Sequence, residues 1–408
     1  MQISFFSDPK HSNLYPLTLT RPTDDLRSGI LTIREKWLAH LQAQKYARQK
    51  NSLFTGLFDE NNLDSSEPTY WINSCLLPTP SIIKQIKSLK LGEGIYANEI
   101  PLIVLLTPDA TQYLLQEELG VPEVANRVQY DEKLKFLRFP WELLKYNASE
   151  ISNDLPLFNY PVLRTEEYAG KIFFSNPNNI FVSPTAVIEP GCTIHASQGP
   201  VFIGDNAIIE SGSFIKGPVA ICENAVTKMA SRIYEGATIG PVCKVGGEVA
   251  HCIFHSYSNK AHDGYAGNSI FGQWCNLGAD TNTSNLNNNY STVKIPDWDS
   301  KKLIETGFQF LGTVMGDHSK TSINSMLKTG TMCGVSSNLF MSGFPPKHIQ
   351  SFSWVDCENP KIYRLEKALE TMVAMMKRRN IELTPAYKEM MQKIFLYSQQ
   401  KALKAHAV

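Results

Sequence analysis

The sequence predicts an α/β domain, then a three-sided parallel β-helix, then a helical tail. Three observations predict this. From Ile203, every sixth residue reads Ile203, Ile209, Ile215, Ile221, Thr227, Ile233, Ile239 and Val245, all β-branched aliphatics except Thr227. A helix repeats at about 3.6 residues and a strand at two, so a period of six held in one phase marks a hexapeptide β-helix. Before residue 165 that period is missing, and short apolar strands alternate with helical stretches, the pattern of an α/β domain with a parallel sheet. After Pro360 the apolar positions fall at helical spacing.

Each hexapeptide gives one short strand and one tight turn, and three make a coil of roughly 18 residues. The sixth-position aliphatics point inward and stack. Gly204-Asp205-Asn206, Ser211-Gly212, Gly217-Pro218, Glu223-Asn224 and Gly240-Pro241 supply the turns, because these residues reach φ > 0 or hold a fixed φ.

In chain order, Gln2 to Phe6 reads as a first strand and Ile33 to Ala47 as a helix. Tyr70 to Leu76 reads as a strand, followed by a helix from Thr79-Pro80 through Leu89 with proline in its first turn. Pro101 to Leu106 is a further strand, and the proline-bearing stretch 153–179 is the connection. Val182, Ile188 and Ile194 start the repeat in another phase, which an insertion at His195 to Pro200 resets. Ile253, Tyr265, Phe271 and Leu277 form a third register, implying extra residues between Phe254 and Tyr265. Thr281 to Tyr290, with Asn282, Asn285, Asn287, Asn288 and Asn289, reads as a loop pushed out of the coil. Leu311-Gly312, Met315-Gly316-Asp317 and Met332-Cys333-Gly334 resume the pattern, and Ser342 to Pro346 ends it. Tyr363, Leu365, Leu369, Met372, Val373 and Met376 share a helix face expected to pack on the β-helix or a neighbouring subunit. Thr384-Pro385 starts a second helix. The domain limits read 1–165, 166–358 and 359–408.

A chain of 408 residues suits two domains. Lys+Arg and Asp+Glu are both 39, so there is no global electrostatic case for nucleic acid or membrane as partner. Met1 to Phe6 has no signal-peptide pattern, no run approaches the roughly 18 apolar residues of a membrane span, and a cytoplasmic location is expected. Eight cysteines lie singly, which argues against zinc and disulfide frameworks; no metal ligand set is expected. Cys192, Cys222, Cys243, Cys252, Cys275 and Cys333 read as small coil fillers.

Chemistry on a β-helix is expected where the regular coil is interrupted. Ser258 to Tyr265 marks such a place and carries His262. A solvent-accessible imidazole near its usual pKa of about 6.5 serves as a general base at neutral pH. The segments Lys260-Ala261-His262-Asp263-Gly264-Tyr265-Ala266-Gly267, Cys275-Asn276-Leu277-Gly278-Ala279-Asp280-Thr281 and Ser284-Asn285-Leu286 follow in order. On these motifs, residues 230–316 resemble the acetyltransferase half of the bacterial bifunctional N-acetylglucosamine-1-phosphate uridylyltransferase / glucosamine-1-phosphate N-acetyltransferase family. The Asn-rich run and the later Phe344-Pro345-Pro346 are similar to a variant branch with an altered N-terminal domain.

The resemblance implies a left-handed β-helix, acetyl-CoA as co-substrate and an amino-sugar 1-phosphate as acceptor, glucosamine-1-phosphate first. It implies that His262 takes the proton from the sugar 2-amine, and that Asn285 holds the imidazole or the amino sugar. Tyr265 and Asn276 would bind the sugar, Glu248 a sugar hydroxyl and Arg232 the 1-phosphate. Ala279 and Thr313 would face acetyl-CoA, Thr313 standing where the family has a serine that supports the tetrahedral intermediate. Such β-helices pack in threes, so a homotrimer with acyl sites between subunits is implied. Two departures bear on the acceptor: a family phosphate-binding lysine is Ala250 here, and the tyrosine after the loop asparagine is Leu286.

Pro16-Leu17-Thr18-Leu19-Thr20-Arg21-Pro22 is similar to a stretch of sugar-1-phosphate nucleotidyltransferases. That resemblance implies UTP as a further substrate, with Arg21, Arg27 and Lys36 as candidates for its phosphates, and Mg²⁺ if this half is active. The glycine-rich phosphate loop that should precede it reads Ser7-Asp8-Pro9-Lys10-His11-Ser12-Asn13, without glycine, and the metal-binding aspartate is replaced within Trp71-Ile72-Asn73-Ser74. Two other readings stay open: an acyltransferase acting on a nucleotide-linked amino sugar, and a non-catalytic assembly subunit.

Overall fold

The computed structural model describes residues 1–357 and 360–406, with side chains of the last helix described to Gln400; the domain limit expected at 358–359 lies outside the described residues. The N-terminal domain is a six-stranded sheet of β1 (Gln2–Phe6), β2 (Lys45–Arg48), β3 (Thr69–Asn73), β4 (Glu93–Ala97), β5 (Ile100–Leu106) and β6 (Asn126–Gln129), in the order β2-β1-β3-β5-β4-β6. With it pack the helices α1 (Ile33–Leu41), α2 (Pro80–Ile86), α3 (Pro108–Gln116) and α4 (Glu142–Asp154).

Two expectations are corrected here. The sheet is mixed: β5 runs antiparallel to both β3 and β4. Asn98 takes a left-handed φ of 54° between β4 and β5, and this short hairpin reverses the chain without a crossover. The helix from Ile33 stops at Leu41 rather than Ala47, because Gln42 turns left-handed (φ 50°, ψ 36°) and Lys45–Arg48 pairs beside β1 as a strand. Its start follows local chemistry: Thr32 accepts from the Glu35 amide, and Glu35 accepts in return from the Thr32 amide, a capping box.

After a short helical turn, α5 (Thr165–Tyr168), the chain winds into a three-sided prism of parallel strands. The first face runs from Phe173–Ser175 to Tyr265–Gly267. The second is nine-stranded, from Ile180–Val182 to His348–Ile349. The third runs from Val187–Ile188 to Asn259–Lys260 and resumes with Lys320–Thr321. Partners in the clean run lie 18 residues apart, as in Ile203, Ile221 and Ile239 on the second face. Val182, Ile188 and Ile194 face inward as expected, and the interior column is apolar almost throughout.

The slip after Val245 has a different cause from the one expected. Nothing is inserted between Phe254 and Tyr265. Instead two corners are shortened: inward Val245 and Val249 stand four apart, and Val249 and Phe254 five apart, where the clean run has six. Gly246-Gly247 makes the tighter turn, with Gly247 at φ 70°. The inward residues are therefore Phe254, Lys260, Ala266, Phe271 and Leu277. Ile253 and Tyr265, which the sequence period places in that register, face outward. The asparagine-rich loop also differs. Asn282–Thr283 is still a coil strand, and the excursion that follows carries an antiparallel hairpin of Lys294–Pro296 with Leu303–Glu305.

The N-terminal domain covers the outside of the second face. Its core is continuous with outward Ile253, Ile270, Val314 and Met332, while Phe202, Ala220 and Cys222 meet Ile30 and Ile151. Polar groups at this junction are paired. Thr238 Oγ1 donates to Gly29 O at 3.0 Å, and Asn147 Nδ2 donates to Gly236 O at 2.9 Å. Asp317 accepts from Thr20 Oγ1 at 2.9 Å and from the Gln273 amide at 2.8 Å. The last helices, α6 (Leu365–Lys377) and α7 (Pro385–His406), bury Met372, Met376, Met390, Met391 and Ile394 against Trp274, Val335 and Phe352 of the prism. The methionine stripe thus packs on the β-helix; Val373 stays exposed.

Two histidines are sealed in this junction. His255 Nε2 donates to Asp25 O at 2.7 Å, and His318 Nε2 meets the Tyr387 hydroxyl at 2.8 Å. Burial first, and nearby cations second, hold both imidazoles well below 6.5. The unfolded chain binds protons near pH 6.5 that the folded chain refuses, so this stability is present above pH 6.5 and lost as the pH falls below it. Thermal unfolding is expected at a lower Tm at pH 5.5 than at pH 7.5, and H255N should shrink that difference.

Candidate functional site

Strand stacking builds the site. On the first face the outward row reads Phe214, Arg232, Glu248 and Tyr265, one residue from each successive coil. Neighbouring rungs lie about 4.8 Å apart, so Arg232 to Tyr265 spans about 10 Å, the length of a phosphorylated sugar. The Arg232 guanidinium meets the Glu248 carboxylate at 3.6 Å, and both remain exposed enough to reach a ligand. Tyr265 lies along its strand over Gly267, where an added Cβ would stand 2.3 Å from the tyrosine hydroxyl and 2.7 Å from Asn285 Nδ2. Asn285 Nδ2 donates to Tyr265 Oη at 3.1 Å and to Asn268 Oδ1 at 2.8 Å. Burial raises the Tyr265 phenol above its usual pKa, which keeps it neutral near pH 7.

His262 sits at the corner where the third face turns into the first, just before the strand that carries Tyr265, and its side chain is exposed. The corner is held from two sides. Below it, an added Cβ on Gly247 would lie 2.8 Å from Asp263 Cα and 2.9 Å from His262 O, so only glycine lets the coils close up. Above it, the Asp280 amide donates to Asp263 O at 2.9 Å. Ala279 occupies that upper corner, directly over the His262 turn.

The structure therefore gathers Arg232, Glu248, Tyr265 and Asn285 into one contiguous patch, with the His262 corner and Ala279 at its edge. Asn276 lies across the corner on the third face, where its Oδ1 accepts from Asn259 Nδ2 at 2.9 Å. Among the described residues, Asn285 makes no hydrogen bond to His262; it orients Tyr265 instead. Thr313 does not join the patch. It lies on the second face, has no exposed surface, and its hydroxyl has no partner, so a ligand on the first face cannot meet it within one chain. Sequence reasoning missed Asn268 and the packing role of Gly267; the only available signal was the Tyr-Ala-Gly-Asn run after the histidine.

The three candidates for nucleotide phosphates are corrected. Arg21 is buried and paired with Asp317 and, at 3.3 Å, with Asp25. Arg27 is buried and donates to Ile30 O. Lys36 has no exposed surface and pairs with Asp154 and, at 3.0 Å, with Glu150. Arg21 and Lys36 are committed to fixed carboxylates, while Arg27 is buried with one guanidinium nitrogen on the Ile30 carbonyl and its Nε without a partner. A cavity of about 180 Å³ beside Ser7, His11 and Arg21 is smaller than the roughly 300 Å³ at which small-ligand pockets begin. The residues at the end of β3 do not fit a magnesium ion. Asn73 donates to Asp8 Oδ2 at 3.1 Å and to Pro101 O at 3.2 Å, and its own oxygen accepts from the Cys75 amide at 3.0 Å. Among the described residues no group of three or more His, Cys, Asp or Glu side chains gathers as a metal site, and no helix is long and apolar enough to cross a membrane.

Residues 3–160 match the family model described as sugar nucleotidyl transferase. The bifunctional protein GlmU of Methanocaldococcus jannaschii is 24% identical over 290 residues, covering 68% of this chain and 62% of that protein. GlmU of Synechococcus elongatus is 24% identical over 60% of this chain and 54% of its own length. A bifunctional sugar-1-phosphate nucleotidylyltransferase/acetyltransferase of Sulfurisphaera tokodaii is 29% identical over 55% of this chain and 51% of its own length. The chain thus spans about half to three-fifths of the curated relatives it matches, and these matches agree with the resemblance carried by the motifs. The crystal structure of a UDP-N-acetylglucosamine acyltransferase covers 57% of this chain and 86% of its own at 12% identity, with a TM-score of 0.30; the fold assignment rests on the strand ladder itself.

Two outcomes follow from the Arg21 geometry. Arg21→Met leaves Asp317 buried and unpaired, which costs about 3–5 kcal/mol, read as a lower denaturation midpoint. The double variant R21M/D317N removes both charges and keeps an amide oxygen for the Gln273 amide, and should recover part of that loss. A nucleotide-binding role would instead predict normal stability with weakened UTP binding.

Proposed function

We propose that this chain transfers an acetyl group from acetyl-CoA to the 2-amine of an amino-sugar phosphate, glucosamine-1-phosphate first, giving the N-acetylated sugar. The observation that carries the reading is the ladder Arg232–Glu248–Tyr265–Asn285 beside the His262 corner. In this reading the phosphate lies on Arg232, whose planar guanidinium suits it. A sugar hydroxyl meets Glu248, and the ring lies against Tyr265, which Asn285 holds in place. His262 Nε2 or Nδ1 accepts a proton as the amine nitrogen attacks the thioester carbonyl. The C–N bond forms, the C–S bond breaks, and the proton passes on to the departing CoA thiolate. Ala279 borders the acetyl-CoA side of the corner, and Asn276, which the resemblance assigns to the sugar, lies across the corner on the third face. The likeness to bifunctional acetyltransferases supports the acyl donor.

A homotrimer belongs to this reading, because a second chain set against the first face would close an otherwise open site and could bring further groups to it. So does a cytoplasmic setting, where acetyl-CoA and sugar phosphates are found. The N-terminal domain covers the second face; its match to the sugar nucleotidyl transferase model favours a further uridylyl step with UTP and Mg²⁺, against which Asn73, Arg21 and Lys36 are already bonded within the fold. A second reading has an observation in its favour. Ala250 stands where a second cation would be needed, and Arg232 already shares its charge with Glu248. A phosphate monoester, with two charges on one phosphorus, is thus less well matched to a single shared arginine than the pyrophosphate diester of a nucleotide-linked amino sugar, which carries one charge on each phosphorus.

Thiol release from acetyl-CoA tests both. With glucosamine-1-phosphate as acceptor, wild type should release thiol and H262A should lose about 100-fold or more in kcat. Release only with a nucleotide-linked amino sugar selects the second reading, and no acceptor-dependent release with either removes both. Glu248→Gln should raise acceptor KM more than it lowers kcat.

A further inference from the structure

Among the described residues, one charged side chain stands in the otherwise uncharged interior of the prism. On the third face the inward residues read Ile188, Ile209, Thr227, Val245 and then Lys260, with Leu277 following. Lys260 is 1% exposed. An ammonium group taken out of water among aliphatic side chains is costly unless it is fully bonded. Here Nζ donates to Gly246 O at 3.0 Å and to His262 O at 2.9 Å. The first carbonyl belongs to the short glycine corner of the coil below. The second belongs to the residue whose imidazole projects at the surface.

We propose that Lys260 is a positioning residue for acetyl transfer: from inside the prism it ties the His262 carbonyl to the Gly246 corner and so fixes the backbone from which the imidazole projects. The inference rests on the reading of His262 as the base. The clamp completes what the exterior leaves open. Gly247 and the Asp280 amide hold the corner from below and above, and Lys260 holds it from within. Burial, the largest influence, brings the ammonium down to about 8, so it is still charged, with its donors intact, near pH 7. A purely structural filler would be a poor choice here, since an apolar side chain of similar volume often replaces a buried ion at no loss of stability.

That difference sets the test. Lys260→Met should fold with a Tm at or above that of the wild type. It should lose about tenfold to a hundredfold in kcat with KM for both substrates nearly unchanged, as expected for a base displaced by about 1 Å. Amide hydrogen exchange at residues 261–264 should rise about tenfold, reporting local opening. Lys260→Gln, which keeps one donor, should fall between wild type and K260M in kcat and in exchange; it also carries the test if K260M does not fold. The proposal is overturned if the informative variant keeps kcat within about twofold of wild type, or if activity and Tm fall together without a change in exchange at the corner. The His262 reading is judged separately: an active H262A would end that reading, while the exchange measurement would still report on the clamp.

Discussion

In a β-helix each coil must bring the chain back to the same point one strand spacing higher, about 4.8 Å. Everything else in this structure follows from that return. Residues one coil apart stack into rows, so one choice of residue type is repeated up the whole column, apolar inside and varied outside. The inward row survives changes of coil length because hydrogen bonds between rungs hold the pairing in register. When a corner loses residues, the faces keep their stacking and the corner itself changes shape. The two shortened turns after Val245 are such places, and the coil that follows them carries His262.

The same return explains how a shallow surface gathers a candidate site. Arg232, Glu248 and Tyr265 are separated in sequence by unequal steps, yet they stand in line because their strands are paired. The row then ends at Asn285, delivered by the start of the excursion out of the coil. Geometry of this kind needs no pocket in a single chain. The first face is open, with Phe173, Phe214 and Met229 exposed near the row, whereas the second face is closed by the N-terminal domain. That closure uses the charges which a nucleotide site would need. Arg21 meets Asp317 of the prism, and Lys36 meets Asp154 of α4, beside the contact with the second face.

Much of this is legible in the sequence, for physical reasons. The six-residue period is a direct image of the coil, and the first strand, the start of α2 and the tail helices carry ordinary propensity and capping signals. The histidine corner is legible because motif order survives in one dimension. Other features are not. A corner that loses two residues and an insertion elsewhere shift the phase alike, so the period places Tyr265 inward although it faces out. The helix from Ile33 reads too long because Gln42 in the left-handed region has no sequence mark as clear as glycine. Arg21, Arg27 and Lys36 look free because a basic residue's partner, here a carboxylate or carbonyl nearby or hundreds of residues away, cannot be read from its neighbours. Thr313 reads as a group facing acetyl-CoA because a motif match does not show that its hydroxyl is buried and without a partner.

In the proposed reaction the first-face row and the His262 corner together hold an amino sugar with its amine at the imidazole. A crystal structure of the protein with glucosamine-1-phosphate and CoA tests it most directly. The phosphate should lie on Arg232, the ring on Tyr265 and the amine nitrogen within about 3.2 Å of a His262 ring nitrogen, or one water away. A sugar bound elsewhere, or bound on this row with its amine turned away from His262 and nearer another base, would contradict it.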